Sequence, residues 1–293
     1  MSIQKSTTVR LKTRAALAFI RYAERVAPRR AGRMARDLWF TAPPRMAELP
    51  VPDHGEVFTV QSQGASIRGQ VWGNGPVVYL VHGWGGRGSQ FAALVQPLLR
   101  SGHRVVMFDA PAHGGSGHGP SGPRRTNGVE FARALDDVFA RFGPAEAVVA
   151  HSLGTISTYL ALRFGWLGTE RLVLIAPMVE SQTLFDGYQS QVGFGPRTRR
   201  AFDRSVLEWI GIPVAEFDAR VQAEHVDPVP TLVVADRDDR QTPYADAVDL
   251  AESTGADLMT TRGLGHRKVL RDPQVVQRVV AFIARDQPLT ESA

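Results

Sequence analysis

Short apolar runs recur along most of the chain, and stretches with apolar residues at helical spacing stand between them. Val77 to Val81, Arg104 to Asp109, Ala147 to His151, Leu172 to Ala176, Leu232 to Ala235 and Leu258 to Thr261 read as strands. Ser89 to Arg100, Thr126 to Phe142, Leu153 to Phe164, Tyr244 to Glu252 and Pro273 to Ala284 read as helices, because their apolar positions repeat with a period near 3.6. Upstream, Glu56 to Gln61 and Ala65 to Trp72 alternate and are joined through Ser62-Gln63-Gly64, which predicts a hairpin. Strands alternating with helices predict a mostly parallel sheet covered on both faces.

Two regions break the alternation. Between Met178 and Val229 no strand pattern occurs, yet Phe185, Tyr188, Phe194, Phe202, Leu207, Trp209 and Ile210 make the segment too apolar for a linker and too long for a loop. It reads as a helical lid over the chemistry described below. At the start of the chain, Ala16, Phe19, Ile20, Ala23 and Ala27 fall on one helical face and Arg10, Arg14, Arg21 and Arg25 on another, an amphipathic helix. The expected organisation is therefore a basic helical extension over 1–50, a core over 51–178 and 229–293, and a lid over 179–228.

Charge sharpens this division. The net charge of +5 hides ten Lys or Arg against Glu24 and Asp37 in the first 40 residues, while the remainder holds 24 basic against 27 acidic residues. A basic extension on a mildly acidic body suits contact with an anionic membrane surface through the helix, or packing of its apolar face on the body with the arginines solvated. Nucleic acid is not an expected partner, since no reader motif or interleaved aromatics accompany the cations. With 43% hydrophobic and 22% charged residues the 293-residue chain has an ordinary soluble composition and no cysteine, which excludes disulfides and thiolate metal sites. No apolar run reaches the roughly 18 residues of a membrane span, and no signal-peptide pattern opens the chain. Cytoplasmic residence, with the extension at the inner face of the membrane, is the expectation.

The chemistry concentrates in turns after the strands. Ala150-His151-Ser152-Leu153-Gly154 sets a serine between a strand and a helix, with small residues two places before and after it, the pattern of a nucleophile elbow with Ala150 in place of the first glycine. His82-Gly83-Trp84-Gly85-Gly86 follows another strand, and its glycines let backbone N–H groups face a ligand. Trp84 N–H and Leu153 N–H are then the expected oxyanion donors, with His82, Gly83 and His151 lining a substrate pocket. Asp236, Asp238 and Asp239 cluster at the end of a strand, and His266 lies in the glycine-rich Gly263-Leu264-Gly265-His266. Gly117-His118-Gly119-Pro120-Ser121-Gly122 fits G-x-G-x-x-G formally, but its prolines and the lack of an immediate helix spoil a dinucleotide turn. The histidines at 82, 113, 118 and 151 show no helical i, i+4 pair, so no metal is expected.

Together these motifs resemble the α/β-hydrolase superfamily from about Glu56 to the last helix. A His-Gly turn, Asp109-Ala110-Pro111-Ala112-His113-Gly114-Gly115-Ser116, the elbow, an acid and Gly-x-Gly-His stand in sequence, and the order Ser152, Asp239, His266 is that of the superfamily. The nearer resemblance is to bacterial hydrolases with an HGWGG turn, an AHSLG elbow and a basic helical N-terminal extension. It implies an eight-stranded, mostly parallel α/β-hydrolase sheet, no cofactor, and a small-molecule acyl substrate. Pro243, four residues after the acid, points to Asp239, although Asp236 stands where the family has glycine; Asp236, Asp238 and Glu180 stay open as alternatives. A carboxylic ester is the implied substrate. Acyl transfer or carbon–carbon bond hydrolysis uses the same triad, and a non-catalytic binder of small ligands keeps the same fold.

Overall fold

The computed structural model describes residues 15–284, and its contacts form two compact units. One contains Ala42–Val179 and the chain from Asp218 onward; the other contains the chain up to Thr41 and Glu180–Phe217. The first carries an eight-stranded sheet: β1 (Glu56–Ser62), β2 (Ala65–Trp72), β3 (Val77–Val81), β4 (Arg104–Phe108), β5 (Ala145–His151), β6 (Thr169–Ile175), β7 (Thr231–Asp236) and β8 (Asp257–Thr261). Their order in space is β1-β2-β4-β3-β5-β6-β7-β8. β2 runs antiparallel to both β1 and β4, and all pairings from β4 to β8 are parallel. The β1–β2 turn uses Gln63 at φ 47° and Gly64 at φ 81°, the left-handed pair that a two-residue hairpin matched to strand twist requires.

Burial follows position in the sheet. Every residue of β3 and β7 is buried, whereas edge strand β1 alternates and edge strand β8 is largely open. Side chains of successive strand residues leave on opposite faces. Val78 and Leu80 therefore join Leu94 and Leu98 of α3 (Ala92–Arg100) and Val275, Val279 and Phe282 of α11 (Pro273–Ile283) in one core. Tyr79 points the other way: its ring meets Phe139 of α4 (Gly128–Phe142) and its hydroxyl donates to Gly143 O at 2.6 Å. α5 (Leu153–Arg163), α8 (Ala219–Ala223), α9 (Tyr244–Thr254) and α10 (Gly265–Lys268) complete this unit. Asn127 caps α4 and Asp272 caps α11 by accepting first-turn N–H groups.

The loops after β3 and β4 are braced by buried histidines. Ala110 N–H donates to His82 Nε2 at 2.9 Å, which places the ring proton on Nδ1, where it is donated to Gly83 O at 2.8 Å. Gly85 N–H donates in the same way to His113 Nε2 at 2.9 Å, and His113 Nδ1–H donates to Pro111 O. Asp109 adds two bonds, accepting from Gly88 N–H and Gly115 N–H at 2.7 and 2.6 Å. Both rings must stay neutral for these bonds. Burial, reinforced by the neighbouring His82, pushes His113 down to about 4, and burial also lowers His82.

The second unit is helical: α1 (15–26), α2 (Pro28–Trp39), α6 (Gln182–Val192) and α7 (Pro196–Ile210). The segments expected as an extension and a separate lid thus share one core, with unit boundaries at 41/42 and 217/218, so that α8 belongs with the sheet. Ile20 and Ala23 of α1, Ala31 and Ala35 of α2, Phe185 and Tyr188 of α6, and Phe202 and Val206 of α7 are all buried there. The apolar face predicted for the first helix therefore packs within this unit. Arg10 and Arg14 lie outside the described residues. Gly32 is where α2 meets α7, since a Cβ there would stand 2.6 Å from the Ala201 carbonyl carbon. Glu24 of α1 accepts the N–H groups of Arg197 and Thr198, both at 2.9 Å, and so caps α7 from another helix.

Phe202 is fully buried and meets Phe185 edge-on at 5.0 Å, so Phe202→Ala is expected to cost about 3–5 kcal/mol, read as a lowered urea midpoint. For His113, the unfolded ring titrates near 6.5 and the folded ring near 4. The unfolded state alone binds the proton between these values, so stability falls as pH drops through that window, by about 1.4 kcal/mol per pH unit for this ring. Buried Glu130, with its raised pKa, acts in the opposite sense. Urea unfolding at several pH values is therefore expected to show a smaller loss in His113→Gln than in the wild type.

Candidate active site

The elbow forms as the spacing of small residues demands. β5 ends at His151, α5 begins at Leu153, and between them Ser152 is held at φ 54°, ψ −122°. Ala150, where a glycine is usual, is fully buried within β5, and its methyl is accommodated. Ser152 N–H donates to Ile175 O and Met178 N–H donates to Ser152 O, so the turn is tied to the end of β6. Two glycines close around it. A Cβ on Gly154 would stand 2.5 Å from Val81 O, and one on Gly83 would stand 2.6 Å from Ser152 Cβ and 3.1 Å from its Oγ. The His-Gly turn after β3 is therefore pressed against the serine side chain. Leu153 is buried with Ala110 and Phe131, and Trp84 and Met178 pack on them, which puts an apolar cluster next to the serine. Among the described residues neither Trp84 N–H nor Leu153 N–H donates to a protein acceptor.

The acid and the base come from the ends of β7 and β8. His266, buried on α10, donates from Nδ1 to Asp239 Oδ2 at 2.8 Å. Asp239 also accepts from Thr242 Oγ1 at 2.9 Å on the same oxygen, and from Gln241 and Thr242 N–H on the other. Burial raises the Asp239 carboxyl, but the bonds from His266, Gln241 and Thr242 outweigh it and hold the group below the usual carboxylate range. The neighbouring acids do other work. Asp236 is buried and accepts from Asp238 N–H, Thr261 Oγ1 and Leu264 N–H at 2.8–3.0 Å, which clamps the loop that carries His266. Asp238 accepts from Gly263 N–H in the same loop. Glu180 pairs with the Thr183 hydroxyl in the helical unit. Of the four acids left open by the sequence, Asp239 is the one bonded to His266.

His151 links the two halves of the site. Its Nε2–H donates to the His266 carbonyl at 2.8 Å, and the two rings stand 4.6 Å apart. Burial first, then the neighbouring His266, lowers its pKa to about 3, so it is neutral. His82, expected in a substrate pocket, has both ring nitrogens bonded to backbone groups; Gly83 contacts the serine itself. The loop 117–122 has a carboxylate inside it, since Glu130 accepts from Ser121 N–H and the Ser121 hydroxyl, and this disfavours a phosphate. Among the described residues no group of three His, Asp or Glu is placed to hold a metal ion, and no helix is long and apolar enough to cross a membrane. Thr242 and the loop-clamping role of Asp236 were not anticipated from the sequence. Only a Thr three residues after the acid could have drawn attention to the first.

The family model described as "alpha/beta hydrolase fold" matches residues 76–208, and a second, described as "TAP-like protein", matches 197–288. Among solved structures, an esterase of Pyrococcus furiosus is similar with a TM-score of 0.64 at 17% identity, covering 84% of this chain and 98% of its own. An esterase of a Rhodococcus species gives 0.59 at 18% identity, covering 78% and 98%, and a hydrolase of Pseudomonas aeruginosa gives 0.59 at 22% identity, covering 79% and 98%. No curated protein sequence matches. With its strand order, its elbow after β5 and these matches, the chain has the α/β-hydrolase fold.

Proposed function

We propose that the protein hydrolyses a carboxylic ester through an acyl-enzyme on Ser152. The observation that carries this reading is the Asp239–His266 hydrogen bond, made from the ends of β7 and β8 in the same sheet whose β5 presents Ser152 on a left-handed turn. In this mechanism His266 Nε2 takes the proton from Ser152 Oγ as the oxygen attacks the ester carbonyl carbon. Asp239, ionised and bonded to Nδ1–H, keeps the imidazole in the tautomer that can accept at Nε2 and stabilises the imidazolium that forms. The carbonyl oxygen becomes an oxyanion, which Trp84 N–H and Leu153 N–H receive. Leu153 N–H is the first of α5 and has no partner inside the helix, so it lies at the positive end of the helix dipole. His266 then returns the proton to the departing alcohol. A water molecule, deprotonated by the same ring, releases the carboxylic acid and restores the serine.

Thr242 holds the Asp239 oxygen that faces His266, and His151 holds the His266 carbonyl, so the base is fixed from both sides. The apolar neighbours Trp84, Leu153 and Met178 favour an acyl group of hydrocarbon character.

Fluorophosphonate labelling followed by mass mapping is expected to place the adduct on Ser152, with no labelling in Ser152→Ala or His266→Ala; absence of any adduct in the folded wild type would overturn the mechanism. With p-nitrophenyl esters, Asp239→Asn is expected to lower kcat roughly 10⁴-fold, while Asp236→Asn mainly lowers the melting temperature. A larger kcat loss in Asp236→Asn at equal foldedness would reverse the assignment of the acid. Gly83→Ala forces a methyl onto Ser152 and is expected to lower labelling rate and kcat together.

A further inference from the structure

The helical unit carries an excess of cations that its own carboxylates do not neutralise. Glu24 is engaged by the N–H groups at the start of α7, Asp37 by Arg36, and Asp186 and Asp203 both by Arg199. Arg29 and Arg33 of α2 and Arg197, Arg200 and Arg204 of α7 line one open groove of about 510 Å³, with Glu208 at its side. All five arginines are exposed, and no carboxylate holds their guanidinium groups among the described residues. Like charges gathered in one concavity raise the local potential and attract anions.

The adjoining face of α1 tells which anion source fits. Its inner residues Ile20 and Ala23 are in the core, while Ala15, Ala18, Tyr22 and Val26, spaced at helical intervals, form its outer face. Tyr22 is 73% and Val26 67% exposed, with exposed Arg25 beside them. The chain passes from Val26 through Ala27 to Pro28, which lines the arginine groove. An apolar strip containing a tyrosine and bordered by arginines is the composition of a helix face that settles at a lipid headgroup boundary. A site for one small anion would fix its donors through second partners; these guanidinium groups are free to meet many phosphates. A nucleic acid would make no use of exposed Val26.

We propose that this face docks the protein onto an anionic phospholipid surface, with the groove arginines meeting lipid phosphates and Tyr22 and Val26 entering the headgroup region. The proposal is independent of the ester-hydrolase mechanism.

The test is co-sedimentation of the full chain with vesicles of phosphatidylcholine alone and of phosphatidylcholine mixed with phosphatidylglycerol, beside a double-stranded DNA fragment as a soluble polyanion. Binding is expected on the mixed vesicles only, weakening with salt. Arg200→Gln/Arg204→Gln is expected to lower the partition coefficient by about tenfold or more. Tyr22→Ser/Val26→Ser should weaken vesicle binding without changing any DNA binding. Glu208→Gln should strengthen vesicle binding, a gain that misfolding cannot imitate, and circular dichroism checks the other variants. Equal partition on both vesicles, or arginine and Tyr22/Val26 variants that bind mixed vesicles like the wild type, would overturn the proposal. DNA binding tighter than vesicle binding and indifferent to Tyr22 and Val26 would also overturn it, and would assign the groove to a soluble polyanion.

Discussion

The sheet-bearing unit depends on one strained turn. Ser152 occupies a left-handed backbone region that a residue with a side chain enters at a cost of about 1–3 kcal/mol. The strain is held by neighbours from two strands: Ile175 and Met178 bond its backbone from the β6 side, while Gly83 closes against its side chain from the end of β3 and Gly154 seats α5 against the Val81 carbonyl of the same strand. Each contact requires the strand beside it to end at the right level. The parallel registers β3–β5 and β5–β6 are thus part of the site as much as the serine is.

The acid cluster shows how two nearby carboxylates acquire different roles. Asp236 sits at the last position of β7, where one oxygen accepts from Asp238 N–H in its own turn and the other from Thr261 Oγ1 at the end of β8 and Leu264 N–H in the loop beyond it. Asp239, three residues on, has turned out of the strand and reaches the histidine that this loop presents. One carboxylate builds the loop and the other uses what the loop carries. The histidines divide similarly. His82 and His113 tie loop to loop with both nitrogens engaged, whereas His266 gives one nitrogen to Asp239.

In the helical unit, helical character was readable in the sequence, but the separate helices α2, α6 and α7 and their partnership were not. The apolar face of the first helix was readable as a stripe, but a stripe does not name what covers it. Residues of α6 and α7, more than 150 positions away along the chain, share its core, and Ala31, Gly32 and Ala35 give α2 a face small enough for close approach to α7. The aromatic residues of the 179–228 segment, expected over the serine, build this core with Trp39 and Phe40.

What the sequence determined by itself is local and repetitive: strand and helix positions, the hairpin at Gln63-Gly64, the elbow serine, and the histidine in its glycine loop. These follow from side-chain periodicity and backbone sterics, which act over a few residues. Pairing decisions belonged to the tertiary structure. Which of Asp236, Asp238 and Asp239 meets His266, that His82 and His113 are braces, and that both ends of the helical unit share one core all depend on where distant backbones place donors and acceptors. Hydrogen bonds act over about 3 Å, and a string of residues does not specify distances of that size until the sheet has set them.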